Sequence, residues 1–246
     1  MINAVGDIAG QYDALMKLLD KMPKDSILVS LGDPVDRGPK SKEVVEFLSK
    51  NGITVNSNHS HMMVEEWKQQ AMPGMYSRYY YGGLWPERNG GLQTIASYGI
   101  SEVKDLPEKH MRFLDQCPMY YEADNYIFTH APIHISKSAQ EASELGLGFA
   151  TYKFDEKSEN SVLWNRQVPD KVNTKLNGRI NIFGHNASTK PKVYCKKYPK
   201  GIKVDQQLLN ECMANDEVWA ICLDTSIGNY LTGLHIGSMT LYYEEF

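Results

Sequence analysis

Seven short polar segments punctuate this chain, and most of them follow an apolar run of strand length. In order they are Gly6-Asp7-Ile8-Ala9-Gly10, Gly32-Asp33-Pro34-Val35-Asp36-Arg37-Gly38, Ser57-Asn58-His59, His130-Ala131-Pro132, Leu163-Trp164-Asn165-Arg166, Gly184-His185-Asn186 and Leu223-Asp224-Thr225. A fold that accepts this pattern must bring several strand ends together, because strand ends are where a layered α/β structure gathers polar residues into one site. Hard oxygen donors mixed with imidazoles suit two divalent cations, and two such cations about 3.5 Å apart serve phosphate-ester hydrolysis.

The spacing between the segments supports this reading. Continuous apolar runs predict strands over 2–5, 27–31, 53–55, 126–129, 180–183 and 218–223. A hairpin through Gly237 joins 231–235 to 238–243. Leu15, Leu18, Leu19 and Met22 recur at helical spacing and predict a helix over 11–22. A second helix starts at Ser41, read as its cap, and stops at Asn51-Gly52. Strand, polar segment and helix in repeated order imply parallel strands with right-handed crossovers. Residues 60–116 read as a mostly helical insert over or beside the site, broken by a Tyr- and Gly-rich loop at 79–83 and by Asn89-Gly90-Gly91. Residues 136–160 read as a polar loop. The whole chain, 1–246, reads as one domain of mixed α/β class.

The bulk numbers narrow the classes. A net charge of −4 supplies no field for general nucleic-acid binding. Lys190, Lys192, Lys196, Lys197, Lys200 and Lys203 form a local basic patch, read as a solvated loop or edge. Four cysteines without a C-x-x-C pair look like thiols of a reducing compartment. No apolar run approaches the roughly 18 residues of a membrane span, and the first strand begins at once, leaving no room for a signal peptide. The expected location is the cytoplasm; oligomeric state is open.

Each segment carries its own chemistry. Asp7, flanked by glycines, offers a hard ligand. Gly32-Asp33-x-x-Asp36-Arg37-Gly38 is the most specific signal: two carboxylates, one able to bridge cations, and a planar guanidinium fork for phosphate oxygens. Asn58 offers an amide oxygen, and His59 beside it a general acid oriented by Asp36. His130 and His185 each end an apolar run and supply nitrogen ligands. Arg166 is a second candidate phosphate clamp. The tyrosine-rich stretch 76–81 and Trp85 offer faces for stacking bases, although an aromatic core for the insert is the better account of them.

Taken together, these segments resemble the metallophosphoesterase superfamily, and within it the phosphoprotein-phosphatase branch, with phage-type and bacterial serine/threonine phosphatases and symmetric diadenosine-tetraphosphate hydrolases nearest in style. That branch reads Gly-Asp-x-His-Gly, Gly-Asp-x-x-Asp-Arg-Gly, Gly-Asn-His-Glu, then His and Gly-His segments. Asn89-Gly90-Gly91 with Ser97-Tyr98-Gly99 adds to the likeness, which runs from Gly6 to about Thr232. The resemblance implies a calcineurin-like β-sandwich flanked by helices and two divalent cations, Mn²⁺ by preference. Asp7 and Asp33 would hold the first cation, with Asp33 bridging. Asn58, His130 and His185 would complete the second. His59 paired with Asp36 would donate a proton, and Arg37 and Arg166 would hold phosphate. The implied activity is phosphomonoester hydrolysis by a metal-activated water, on phosphoserine or phosphothreonine in proteins. Dinucleoside polyphosphates, cyclic nucleotides or RNA-end phosphates are the alternative substrates.

The chain departs from the branch at three positions. Ala9 stands where a ligand histidine is expected, and His61 is the nearest substitute in sequence. Ser57 and Ser60 replace the glycine and glutamate of the third segment. Three readings of Ala9 follow: a working phosphatase with a reduced first metal site, a phosphate- or partner-binding protein without turnover, or a substitution made to trap a ligand.

Overall fold

Apolar runs such as Ile2–Val5 leave no face for water, so a structure containing them must cover both sides of the sheet they enter. The computed structural model describes residues 1–72, 84–133, 162–166 and 178–246, and in it all four residues of that strand are buried. The 76–81 tyrosine stretch and the polar loop at 136–160 lie outside the described residues.

Two sheets form. The first contains β1 (Ile2–Val5), β2 (Ile27–Ser30), β3 (Ile53–Thr54), β10 (Tyr230–His235) and β11 (Thr240–Glu245), in the order β11-β10-β1-β2-β3. β1, β2 and β3 are parallel, and the β10–β11 hairpin adds antiparallel to β1. The second contains β4 (Tyr120–Ala123), β5 (Tyr126–Thr129), β6 (Ile180–Phe183), β7 (Lys192–Cys195), β8 (Ile202–Lys203) and β9 (Val218–Cys222), in the order β4-β5-β6-β9-β7-β8. Here β5, β6 and β9 run parallel.

One apolar core takes residues from both sheets: Ala4 and Val29 from the first, Phe128, Ile182 and Ile221 from the second. The sheets therefore pack face to face, the β-sandwich expected. On the outer face of the first sheet lie α1 (Tyr12–Lys21) and α2 (Ser41–Leu48). Leu15 and Leu18 of α1 are fully buried there, and truncating either to alanine costs about 2–5 kcal/mol. Asp13 and Lys21 sit at the helix ends that favour their charges.

A second core belongs to α3 (Asn58–Ala71), α4 (Leu84–Arg88), α5 (Gly91–Tyr98) and α6 (Glu108–Asp115), which pack Met63, Trp85, Met111 and Leu114 together with Val45 of α2. These four helices fall between residues 58 and 115. Among the described residues, no helix is long and apolar enough to cross a membrane.

Four elements escaped the sequence reading. β4 turns into β5 through Asp124, which has φ 50°; the strand is only half-buried, with Glu122 breaking any continuous apolar run. β7 and β8 lie inside the lysine patch; β8 is the sheet edge, where exposed lysines deter pairing with another chain. α7 (Gln206–Asn215) buries only Leu209 and Cys212, and is announced by its cap, Asp205, whose carboxylate accepts the Leu208 N–H at 3.0 Å. One expectation is corrected. Ser41 does not cap α2: the cap is Lys40, and the Ser41 hydroxyl instead accepts the Asp36 N–H at 3.2 Å.

Candidate metal centre

The C-terminal ends of β1, β2, β3, β5, β6 and β9 all point to one end of the sandwich, so the polar segments that follow them meet there. Backbone contacts bind them closely. Ala9 N–H donates to the Asp33 carbonyl at 2.6 Å, and Gly38 N–H to the Ala9 carbonyl at 2.9 Å. Gly184 lies so close to Asp7 that a β-carbon there would run into the Asp7 carboxylate, which explains the glycine.

Asp7, Asp33 and His130, all buried, place one ligand atom each within 4.8 Å of one another. Both Asp7 oxygens accept the His185 N–H at 3.1 Å. His130 donates Nδ1–H to the Leu31 carbonyl at 2.9 Å, which fixes its tautomer and leaves a bare lone pair on Nε2. That nitrogen lies 2.7 Å from Asn58 Oδ1, 3.1 Å from His185 Nδ1 and 3.5 Å from Asp33 Oδ1. Oxygen and nitrogen ligand atoms from four residues thus converge on one point, a donor set that suits a divalent cation.

The electrostatics point the same way. Burial, then the carboxylates of Asp224 and Asp33, push Asp7 well above the ordinary carboxylate range, against the His185 N–H and Arg37. Burial acts on Asp33 too, but His130, His59, His185 and Arg37 outweigh it and hold that carboxyl far below its usual value. Two adjacent buried carboxylates do not both stay ionised unless positive charge lies between them. Burial lowers His130, and lowers His185 to about 3 with help from its neighbour His130. Both imidazoles are neutral near pH 7, the form that ligates.

Beside this set stands a second cluster. His59 Nδ1 lies 2.5 Å from Asp36 Oδ2, and Asp36 is wholly buried. Trp85 Nε1–H donates to the same oxygen at 2.9 Å, and the Thr94 hydroxyl to Oδ1 at 2.8 Å. Burial disfavours the charged imidazole of His59, yet Asp33 and Asp36 raise it above its ordinary value. Arg37 Nη2 donates to His59 Nε2 at 3.1 Å. Its backbone is packed against Gly90 at φ 91°, where a β-carbon would come within 2.8 Å of Arg37 N. Arg166 is exposed and donates Nη1–H to the His185 carbonyl at 3.1 Å, which draws it to the same rim.

The structure therefore brings Asp7, Asp33, Asn58, His130 and His185 to one point and sets His59, Asp36, Arg37 and Arg166 around it. His61, on α3, is not in the carboxylate–imidazole group. Ser57 suits its position: its backbone is extended (φ −141°), and its hydroxyl accepts the Asp33 N–H at 2.9 Å and pairs with the Ser60 hydroxyl at 3.0 Å. The two serines support the turn together. Trp85, offered from sequence as a stacking platform, is fully buried with its N–H on Asp36 and is free to stack on nothing. Sequence reasoning missed Trp85 and Thr94 as supports of Asp36, because they lie 49 and 58 residues away on the insert.

The family profile described as calcineurin-like phosphoesterase matches residues 1–191. Among curated proteins, serine/threonine-protein phosphatase 2 of Escherichia coli is 27% identical over 194 residues, covering 74% of this chain and 77% of that protein. The asymmetrical bis(5'-nucleosyl)-tetraphosphatase PrpE of Halalkalibacterium halodurans is 28% identical over 150 residues, 52% of this chain and 56% of its own length. Among solved structures, a protein serine/threonine phosphatase of Saccharomyces cerevisiae superposes with a TM-score of 0.58 at 14% identity, covering 100% of this chain and 79% of that one.

Proposed function

This chain belongs to the calcineurin-like phosphoesterases, and on that footing we propose that it hydrolyses phosphate monoesters of the kind carried by phosphoserine and phosphothreonine in proteins. The observation that carries the reading is the convergence of ligand atoms from Asp33, Asn58, His130 and His185 beside a His59–Asp36 pair. Asp7 and Asp33 would hold one divalent cation, of Mn²⁺ or Mg²⁺ type; Asp33, Asn58, His130 and His185 would hold the other. Cations bound there supply water of lowered pKa and offset charge on the phosphate oxygens.

The protein's own groups do the rest. Arg37 is exposed and reaches inward to His59 Nε2. An arriving phosphate draws that guanidinium away, since a bidentate charged pair outweighs a single bond to a neutral imidazole. Nε2 is then released, and the carboxylates of Asp36 and Asp33 favour a proton on it. His59 gives that proton to the leaving oxygen, while Asp36 holds the ring through Nδ1–H. Arg166, held at the His185 carbonyl on the same rim, is the second guanidinium for the phosphate.

The test is phosphate release from p-nitrophenyl phosphate, with Mn²⁺ and with chelator, for this chain and for Ala9→His. Release that needs the cation supports the reading. No release from either protein overturns it in favour of a binding role. A second reading, hydrolysis of dinucleoside polyphosphates, draws on the relative that carries that name and on the aromatic cleft described next.

A further inference from the structure

Exposed apolar side chains on a folded surface mark binding sites when they cluster. Among the described residues, six large apolar side chains are exposed: Met1, Ile27, Leu92, Ile227, Tyr230 and Phe246. Three of them gather at one place. Ile227 lies on the 3-10 turn Ser226–Gly228, Tyr230 opens β10, and Phe246 N–H donates to the Asn229 carbonyl at 3.1 Å. Tyr230, of these three, lines a cleft of about 360 Å³ together with Tyr243, Val204, Thr189, Thr225 and Lys190. That volume is within the range of about 300–1,000 Å³ that small-molecule pockets occupy.

Strand register puts this cleft at the catalytic end of the sandwich. Lys192 pairs with Cys222, so β7 begins where β9 ends. Gly6 N–H donates to the Thr232 carbonyl, so β10 begins just beyond the end of β1. Thr225, in the cleft wall, directly follows Asp224, whose carboxylate acts on Asp7 more strongly than any other charge. The cleft thus flanks the metal centre on the β10–β11 side. Its charge fits an anion's neighbourhood. Lys190 is in the wall, Lys192 follows two residues on, and Lys203 reaches across to the Thr189 hydroxyl at 2.9 Å. Asp205, the acidic residue in the wall, already caps α7.

We infer that this cleft seats one nucleoside of a dinucleoside polyphosphate, its base against Tyr230 and Tyr243 and its phosphates passing Lys190 toward Arg166 and the metal ligands. The inference rests on the second reading of function. Two tyrosine faces suit a planar base, which stacks on aromatic rings whatever its identity. Lys190 suits the phosphate next to the ribose, and the Thr189 hydroxyl offers a partner to the sugar. An apolar peptide side chain would use the tyrosines but leave the lysines without a role.

Tyr230→Ala and Lys190→Ala test this. Both residues are exposed and neither is placed among the metal ligands or the proton donor. Two readouts are needed: turnover of diadenosine tetraphosphate against p-nitrophenyl phosphate, and binding of adenosine 5'-monophosphate to metal-free protein by saturation-transfer NMR. The expected result is a KM for the dinucleotide raised about five- to hundred-fold by Tyr230→Ala, with p-nitrophenyl phosphate unaffected. Wild-type turnover of the dinucleotide that both variants retain in full overturns the cleft assignment. Absence of dinucleotide turnover removes the second reading of function, and the binding experiment then decides the cleft alone: monophosphate binding weakened by Tyr230→Ala upholds it, and no binding overturns it. A KM raised for a phosphopeptide, with no monophosphate binding, assigns the cleft to peptide and overturns it too.

Discussion

Replacing Asp36 with asparagine separates what that residue does by charge from what it does by shape. Asp36 receives three donors on two oxygens: His59 Nδ1–H and Trp85 Nε1–H on Oδ2, and the Thr94 hydroxyl on Oδ1. An asparagine whose amide oxygen takes the Oδ2 place keeps the first two bonds. Its NH₂ then faces Thr94 Oγ1, which turns its hydrogen toward Ser41 Oγ, 3.1 Å away. The network survives and only the negative charge is lost, so stability should fall by about 1–2 kcal/mol. Asp36→Ala strands two buried donors at about 1–3 kcal/mol each, or about 2–6 kcal/mol together. The difference between the two variants in urea unfolding is therefore a direct reading of the network. Activity should behave differently. Without the carboxylate, the imidazolium of His59 loses its stabilising partner, and proton donation to the leaving group weakens. The expected loss is about a hundredfold in kcat on a phosphoserine peptide, whose alkoxide needs the proton. On p-nitrophenyl phosphate, whose leaving anion is stable unprotonated, the loss should be several-fold smaller. An Asp36→Asn enzyme impaired equally on both substrates would refute the assignment of His59 as proton donor and leave Asp36 a purely structural support.

Other outcomes follow from the same geometry. Ala9→His adds an imidazole where the backbone already has φ 48°, a region histidine adopts more readily than alanine, and should tighten Mn²⁺ binding at the first site by about tenfold or more, read from free Mn²⁺ in an EPR titration. Gly184→Ala drives a methyl into the Asp7 carboxylate and should weaken the same titration, with a fold destabilised by about 1–3 kcal/mol. His110 takes the Tyr98 hydroxyl on Nδ1 at 2.8 Å and donates Nε2–H to Glu46 at 2.6 Å, and burial, the largest influence, lowers its pKa. The unfolded chain takes up this proton near pH 6.5 while the folded ring resists it, so the contribution is intact above that pH and fades below it. The urea midpoint should therefore drop between pH 7 and 5.5, and His110→Gln, which keeps both bonds, should flatten that dependence.

What the sequence announced and what it hid divide along physical lines. β1, β2, β5, β6 and β9 were readable because each is a largely apolar run, buried on both faces but for the first residues of β2 and β5, and the polar residues that follow such runs had to meet. Nothing local announced the cluster that holds Asp36. Trp85 and Thr94 reach it only after the insert has folded, and their sequence neighbours show no spacing that points back to residue 36. The same is true of Gly90, whose place against Arg37 becomes visible only in three dimensions. Ser57 misled for the opposite reason. The family pattern suggested a glycine turn, but the extended backbone there accepts a side chain, and the hydroxyl joins the network that seats Asp33.

Backbone strain at the site bears on how Ala9 is to be understood. Among the described residues, eight non-glycine positions have positive φ, and five of them are Ala9, Asp33, Asp36, Arg37 and His185. Left-handed backbone costs an ordinary residue roughly 1–2 kcal/mol, less for aspartate and histidine. Strain so concentrated persists only where neighbouring contacts over-determine it. At Ala9 they do: its N–H is held by the Asp33 carbonyl, its carbonyl by Gly38 N–H, and the adjacent Gly10 by Pro34 and Lys40. None of these bonds involves a side chain at position 9. The turn after β1 is therefore fixed by the turn after β2, and it holds its shape with a methyl group as it would with an imidazole. Alanine bears the cost of the conformation without contributing a ligand. On the proposed reading, the first metal site would be short of one donor in an otherwise set backbone, and Ala9→His would meet no rearrangement of the turn.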